Sequence, residues 1–149
     1  MLAIELLQGA KTRIIAGWAK GVYKRVDAGG VECLCSMGAL AAASAYVSDA
    51  SAATEDEDEA KLIAMDDFAA KGFKPDTEEF KALKALSDQM IKILKRDNRG
   101  HRVIEDAQEP NAGAAEFVAV IINTNDEKLT QKQDVINAFD AAIKSLEEV

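Results

Sequence analysis

Apolar positions recur at helical spacing along most of the chain. Leu6, Ala10, Ile14 and Trp18 stand four apart and line one face of a first helix. Gly17 and Gly21 predict that this helix ends near Trp18. The pattern then changes. Val22 to Val26 and Val31 to Leu34 are short β-prone runs around Asp27-Ala28-Gly29-Gly30, which reads as a small hairpin or an ordered loop. A lone hairpin is marginal, so it must pack on helices. Residues 35–47 are almost all small and apolar and predict a buried central helix that neighbours approach closely. A polar loop follows at 48–54.

Three pairs with capping-box spacing mark further helix starts. Thr54 with Glu57 opens a helix that runs to about Lys71 and stops at Gly72, with Pro75 beyond. Its apolar face is Leu62, Met65, Phe68 and Ala69. Asp76 with Glu79 opens a long helix striped by Phe80, Leu83, Leu86, Met90, Ile91 and Leu94. Gly100 is its expected C-cap, and 101–113 reads as a loop broken by Pro110 and Gly113. Residues 114–123 are apolar on most sides. They predict a buried helix, with a buried strand as the competing reading. A turn at Asn123–Leu129 leads to Thr130 with Gln133 and a last helix carrying Val135, Phe139, Ala142, Ile143 and Leu146. The whole predicts one mostly α domain of five or six helices, with at most a small β-hairpin near 22–34. Trp18, Leu40, Phe80, Leu83, Phe117, Ile121, Phe139 and Ile143 are its expected core.

Composition agrees with a folded domain. The chain has 149 residues and 48% apolar side chains, too many for a disordered chain. No apolar run approaches the roughly 20 residues that span a bilayer, so no membrane association is expected. The first residues lack the pattern of a secretory leader, and only two cysteines are present, which favours a cytoplasmic location. The net charge of −8 lies mainly in one segment: residues 48–79 hold 11 acidic and 3 basic groups. General nucleic-acid binding is therefore disfavoured.

Few residues carry candidate chemistry. Cys33 and Cys35 could offer two thiolates, but zinc takes four ligands and the only histidine is His101. No metal, cofactor or catalytic residue is expected. No P-loop, dinucleotide, nucleophile-elbow or zinc-protease motif is present. Glu55, Asp56, Glu57, Asp58 and Glu59 suit the positive end of a helix, and alternatively a basic partner. Arg96, Arg99, His101 and Arg102 flank Gly100 and suit either a solvated helix end or an anion clamp. The 48–79 carboxylates are the expected internal competitor for those arginines. Asn125 and Asp126 satisfy a turn, or floor a polar pocket beside Trp18, with Tyr23 a further candidate for stacking on a base.

Trp18 and Gly21, Cys33-Leu34, Gly38-Ala39-Leu40, Asn125-Asp126, Thr130, Val135, Phe139-Asp140 and Ala142-Ile143 occur in this order. Over roughly 6–47 and 115–146 the set resembles a family of small uncharacterised bacterial and phage proteins. That family reads W-x-x-G, then C-x-x-G-A-L, then N-D and T-x-x-x-x-V-x-x-x-F-D-x-A-I. The resemblance implies a compact, phage-borne helical accessory protein and brings no activity with it. A non-enzymatic protein that binds a host protein is the function expected. A module that binds or sequesters a nucleotide signal is the alternative, and a protein partner is favoured over a small molecule. The oligomeric state stays open.

Overall fold

The computed structural model describes residues 2–22, 24–44 and 56–148, with the side chains at 57, 58, 60–62, 68 and 69 set aside. Helix α1 spans Ala3–Ala16. Strands β1, Lys24–Val26, and β2, Glu32–Leu34, pair antiparallel with Arg25 opposite Cys33. Then come α2, Ser36–Ala43, and α3, Glu57–Asp67, which passes into a π-helical turn at Phe68–Gly72. Helices α4, Glu78–Arg96, α5, His101–Ala107, α6, Ala114–Asp126, and α7, Lys132–Glu147, complete the described chain. The protein is mostly helical, with one small hairpin in a single compact domain.

Burial explains the assembly. Helix α4 packs against α6 and α7, and α1 packs against α2 and α7. The amphipathic stripe of α4 puts Leu83, Leu86, Met90 and Leu94 inside, and α7 answers with Val135, Phe139 and Ala142. Fully buried side chains of this kind contribute roughly 1.5–3 kcal/mol each. The small residues of α2 do allow close approach: a Cβ on Gly9 of α1 would stand 3.4 Å from the Cβ of Ala43. Leu40, Leu83, Phe117, Ile121 and Phe139 are buried, whereas Trp18, Phe80 and Ile143 are half-buried against the core's edge.

Several local expectations are corrected. Residues 114–123 are helix, as expected, and not the competing strand, but that helix continues to Asp126 where a turn was expected. Residues 101–107 are helix α5, not loop. Ile104 and Ala107 stand three apart, and both are buried. Gly100 is not the C-cap of α4. Asp97 takes that place and Asn98 follows it with φ 56°, and the N–H of Arg99 reaches Leu94 O at 2.9 Å while that of Asn98 reaches Lys95 O at 3.2 Å. Gly100 instead starts α5 in the left-handed region, φ 65°.

Two caps also move by one residue. Asp76 has φ 64°, outside the extended backbone of an N-cap, so Thr77 caps α4 by accepting from Phe80 N–H at 3.1 Å. Gln131 rather than Thr130 precedes α7. The Asp134 carboxylate reaches back to Gln131 N–H at 2.8 Å, and Thr130 Oγ1 is buried without a hydrogen-bond partner in the protein. The expected Thr54 cap lies outside the described residues. Asp56 accepts from Glu59 N–H at 3.0 Å at the start of α3.

Candidate functional site

The residues with most polar contact meet where the hairpin joins the helices. Asn125, in the last turn of α6, is fully buried. Its Oδ1 accepts from Trp18 Nε1 at 2.7 Å, Ser36 N–H at 2.9 Å and Ser36 Oγ at 2.7 Å. Its Nδ2 donates to Ala19 O and to Asp126 Oδ1, each at 3.0 Å. Asp126 Oδ1 also accepts from Gly21 N–H at 2.8 Å. A buried amide that lost these partners would cost about 1–3 kcal/mol for each group left bare. The network therefore ties residues 18–21 and the start of α2 to the end of α6.

The same residues carry the hairpin. Leu34 N–H donates to Gly17 O at 3.1 Å, and Ala19 N–H donates to Leu34 O at 2.9 Å. Segment 17–19 thus lies against β2 as a short parallel neighbour. Gly17 permits that approach, since a Cβ there would stand 2.7 Å from Glu32 O. Lys20 Nζ crosses to Thr130 O at 2.8 Å and lies 5.5 Å from the Trp18 ring centre. The tip is fixed by Asp27, whose carboxylate accepts from Gly29 and Val31 N–H at 2.8 and 2.9 Å. Yet the hairpin covers little: every residue of β1 is exposed, Val26 at 60%, and Val31 beside the turn is exposed at 41%.

Asn125 thus bonds Trp18 and Asp126 bonds Gly21, and Asn125 is closed in rather than flooring an open pocket. Tyr23 and Glu55 lie outside the described residues, as do the side chains of Glu57 and Asp58. Asp56 and Glu59 are exposed at the start of α3. Cys35 caps α2, its Sγ accepting from Gly38 N–H at 3.3 Å, and Cys33 is half-buried on β2.

The arginines do not converge. Arg96 grips Asp97 through Nε and Nη2 at 2.9 and 2.8 Å, and reaches Asp134 through Nη1 at 2.9 Å. Both edges of its fork are engaged within the chain. Hydrogen bonds from Arg96 hold both carboxyls below the usual carboxylate range, and Asp97 and Asp134 in turn raise the arginine. Arg99 stands 3.7 Å from Glu127. His101 and Arg102 are exposed on α5. Internal pairing was the expected competitor, and among the described residues the carboxylates beside these two arginines are those of Asp97, Asp134 and Glu127 rather than of segment 48–79.

Among the described residues no three Cys, His, Asp or Glu side chains group as metal ligands would. No helix among them is long and apolar enough to cross a membrane.

A model of a family of unknown function, DUF6197, matches residues 1–145. The chain belongs to that family. No curated protein and no solved structure matches it. Membership in DUF6197 agrees with the resemblance to an uncharacterised family. Ser36 and Ala19 were not foreseen as partners of Asn125. The contacts to Ser36 N–H and Ala19 O run through backbone groups, which leave no side-chain signature.

Proposed function

We propose that this DUF6197 chain is a non-enzymatic accessory protein that acts by binding a protein partner, with the hairpin 24–34 as its contact element. The observation that carries this reading is the mismatch between the hairpin's support and its burial. A two-stranded hairpin is marginal alone, yet this one is anchored through the Asn125 and Asp126 network while its outer strand covers nothing. Satisfied buried polar networks fix one arrangement. Here the arrangement fixed is an exposed strand and turn, with Val26 and Val31 facing solvent. Rigid presentation of exposed apolar residues lowers the cost of binding.

The nucleotide-binding alternative is less well supported, because Arg96 and the Trp18 N–H already have partners. A phage-borne setting in the host cytoplasm belongs to the same proposal and rests on the family resemblance. Phage or phage-defence genes beside this gene would support that setting, and a metabolic operon would contradict it. The contact itself is tested by affinity capture from host lysate. The wild-type chain is expected to retain a protein that a Val26→Asp, Val31→Asp double variant of unchanged melting temperature loses. Equal retention by both would overturn the proposal.

A further inference from the structure

The edge of the hairpin has a definite polarity. In an antiparallel ladder, successive residues turn their backbone groups alternately toward and away from the partner strand. Leu34 gives both its N–H and its C=O to segment 17–19, so it faces away from β1. Lys24 stands opposite Leu34 and therefore faces away from β2. Val26, two residues on, does the same. Segment 17–19 covers the far side of β2, so the open edge of this small sheet is β1. It offers the N–H and C=O of Lys24 and Val26.

The side chains around that edge select its occupant. Lys24 lies 3.4 Å from Glu32 with both side chains about half exposed, a pair of little strength. Arg25 is exposed between Lys24 and Val26. A second copy pairing β1 to β1 about Arg25 would set two arginines face to face, which is unfavourable. The edge strand itself carries two exposed cations, Lys24 and Arg25, and no carboxylate, so it favours an acidic guest. It also favours apolar contact, through the exposed Val26 on the strand and Val31 beside the turn.

We infer that the outer edge of β1 adds an extended peptide strand in which acidic and apolar residues alternate. Backbone bonds to Lys24 and Val26 would give the register, carboxylates on the face of Arg25 the selectivity, and apolar side chains would lie on the face of Val26. This inference rests on the reading that the hairpin is the contact element.

The probe is a short labelled peptide of alternating Glu and Val, titrated into the full chain at low salt. Saturable binding that weakens with added salt is expected, together with slowed amide exchange at Lys24 and Val26. Val26→Pro removes one outward N–H and leaves the bonds to β2 in place. It is expected to weaken binding by about tenfold with an unchanged melting temperature. Four results would overturn the inference. They are no binding, binding without slowed exchange, equal binding of a Lys and Val peptide, and tighter binding of an oligothymidylate. If the peptide fails while the Val26→Asp, Val31→Asp variant still loses its captured protein, strand addition falls and the hairpin contact stands.

Discussion

The indole N–H of Trp18 donates to Oδ1 of Asn125 at 2.7 Å, across 107 positions of sequence. The bond joins the chain's only tryptophan, just past α1, to the last turn of α6. The same oxygen takes the N–H and the hydroxyl of Ser36. One fully buried amide therefore fixes the entry to the hairpin and the exit from it.

Asn125→Ala leaves the half-buried Trp18 N–H and the buried Ala19 carbonyl without that partner. A loss of about 2–3 kcal/mol in denaturant unfolding is expected. Asn125→Asp should cost more, because a carboxylate cannot donate to Ala19 and repels Asp126. A change below about 1 kcal/mol in both would remove the network from the account.

Phe139 is fully buried on α7, the helix that packs against both α1 and α4. Phe139→Ala is expected to cost about 3–5 kcal/mol. Chemical denaturation measures it, and a cost near zero would mean that α7 does not dock as described.

Stability should fall in acid through the Arg96 cluster. Asp97 and Asp134 are held below the ordinary value of 3.8 when folded, chiefly by hydrogen bonds from Arg96. Their stabilisation is thus complete above that value and is lost as pH drops through the lower folded values. Asp134→Asn keeps an oxygen for the Gln131 N–H but loses the charge. It should melt below wild type at about pH 7, with the gap narrowing as the pH falls below 3.8. A gap that persists unchanged in acid would contradict this origin.

The junction of α4 and α5 predicts opposite signs for two substitutions. Gly100 has φ 65°, and a Cβ there would stand 2.9 Å from Leu94 Cδ1, so Gly100→Ala should cost about 1–2 kcal/mol. Asn98 holds φ 56° as an ordinary side chain. Asn98→Gly relieves that conformation and should be neutral or stabilising by up to about 1 kcal/mol. Thermal melts of the two variants separate them.

The long helices were legible because their stripes repeat over many turns. Leu83, Leu86, Met90 and Leu94 specify α4 on period alone. Short elements were not. Helix α5 has seven residues, too few for a period, and begins on a glycine that sequence alone assigns to the preceding helix. The caps at 76–77 and 130–131 slipped by one because two polar residues stand side by side at each start, and backbone φ decides between them. At the candidate site, Asn125 and Trp18 were both visible as chemistry. Their partnership was not, because it depends on Gly17 letting β2 lie against the end of α1.

The central claim is that the polar network positions the hairpin rather than merely stabilising the core. Amide exchange in Asp126→Ala tests it most directly, since Asp126 Oδ1 binds Gly21 N–H and the Asn125 amide from a half-buried position. Exchange at Arg25 and Cys33, paired across the hairpin, should quicken by at least about tenfold, while the buried amides of α4 stay as slow as in wild type. Unchanged exchange at Arg25 and Cys33, or equal quickening in α4, would contradict the claim.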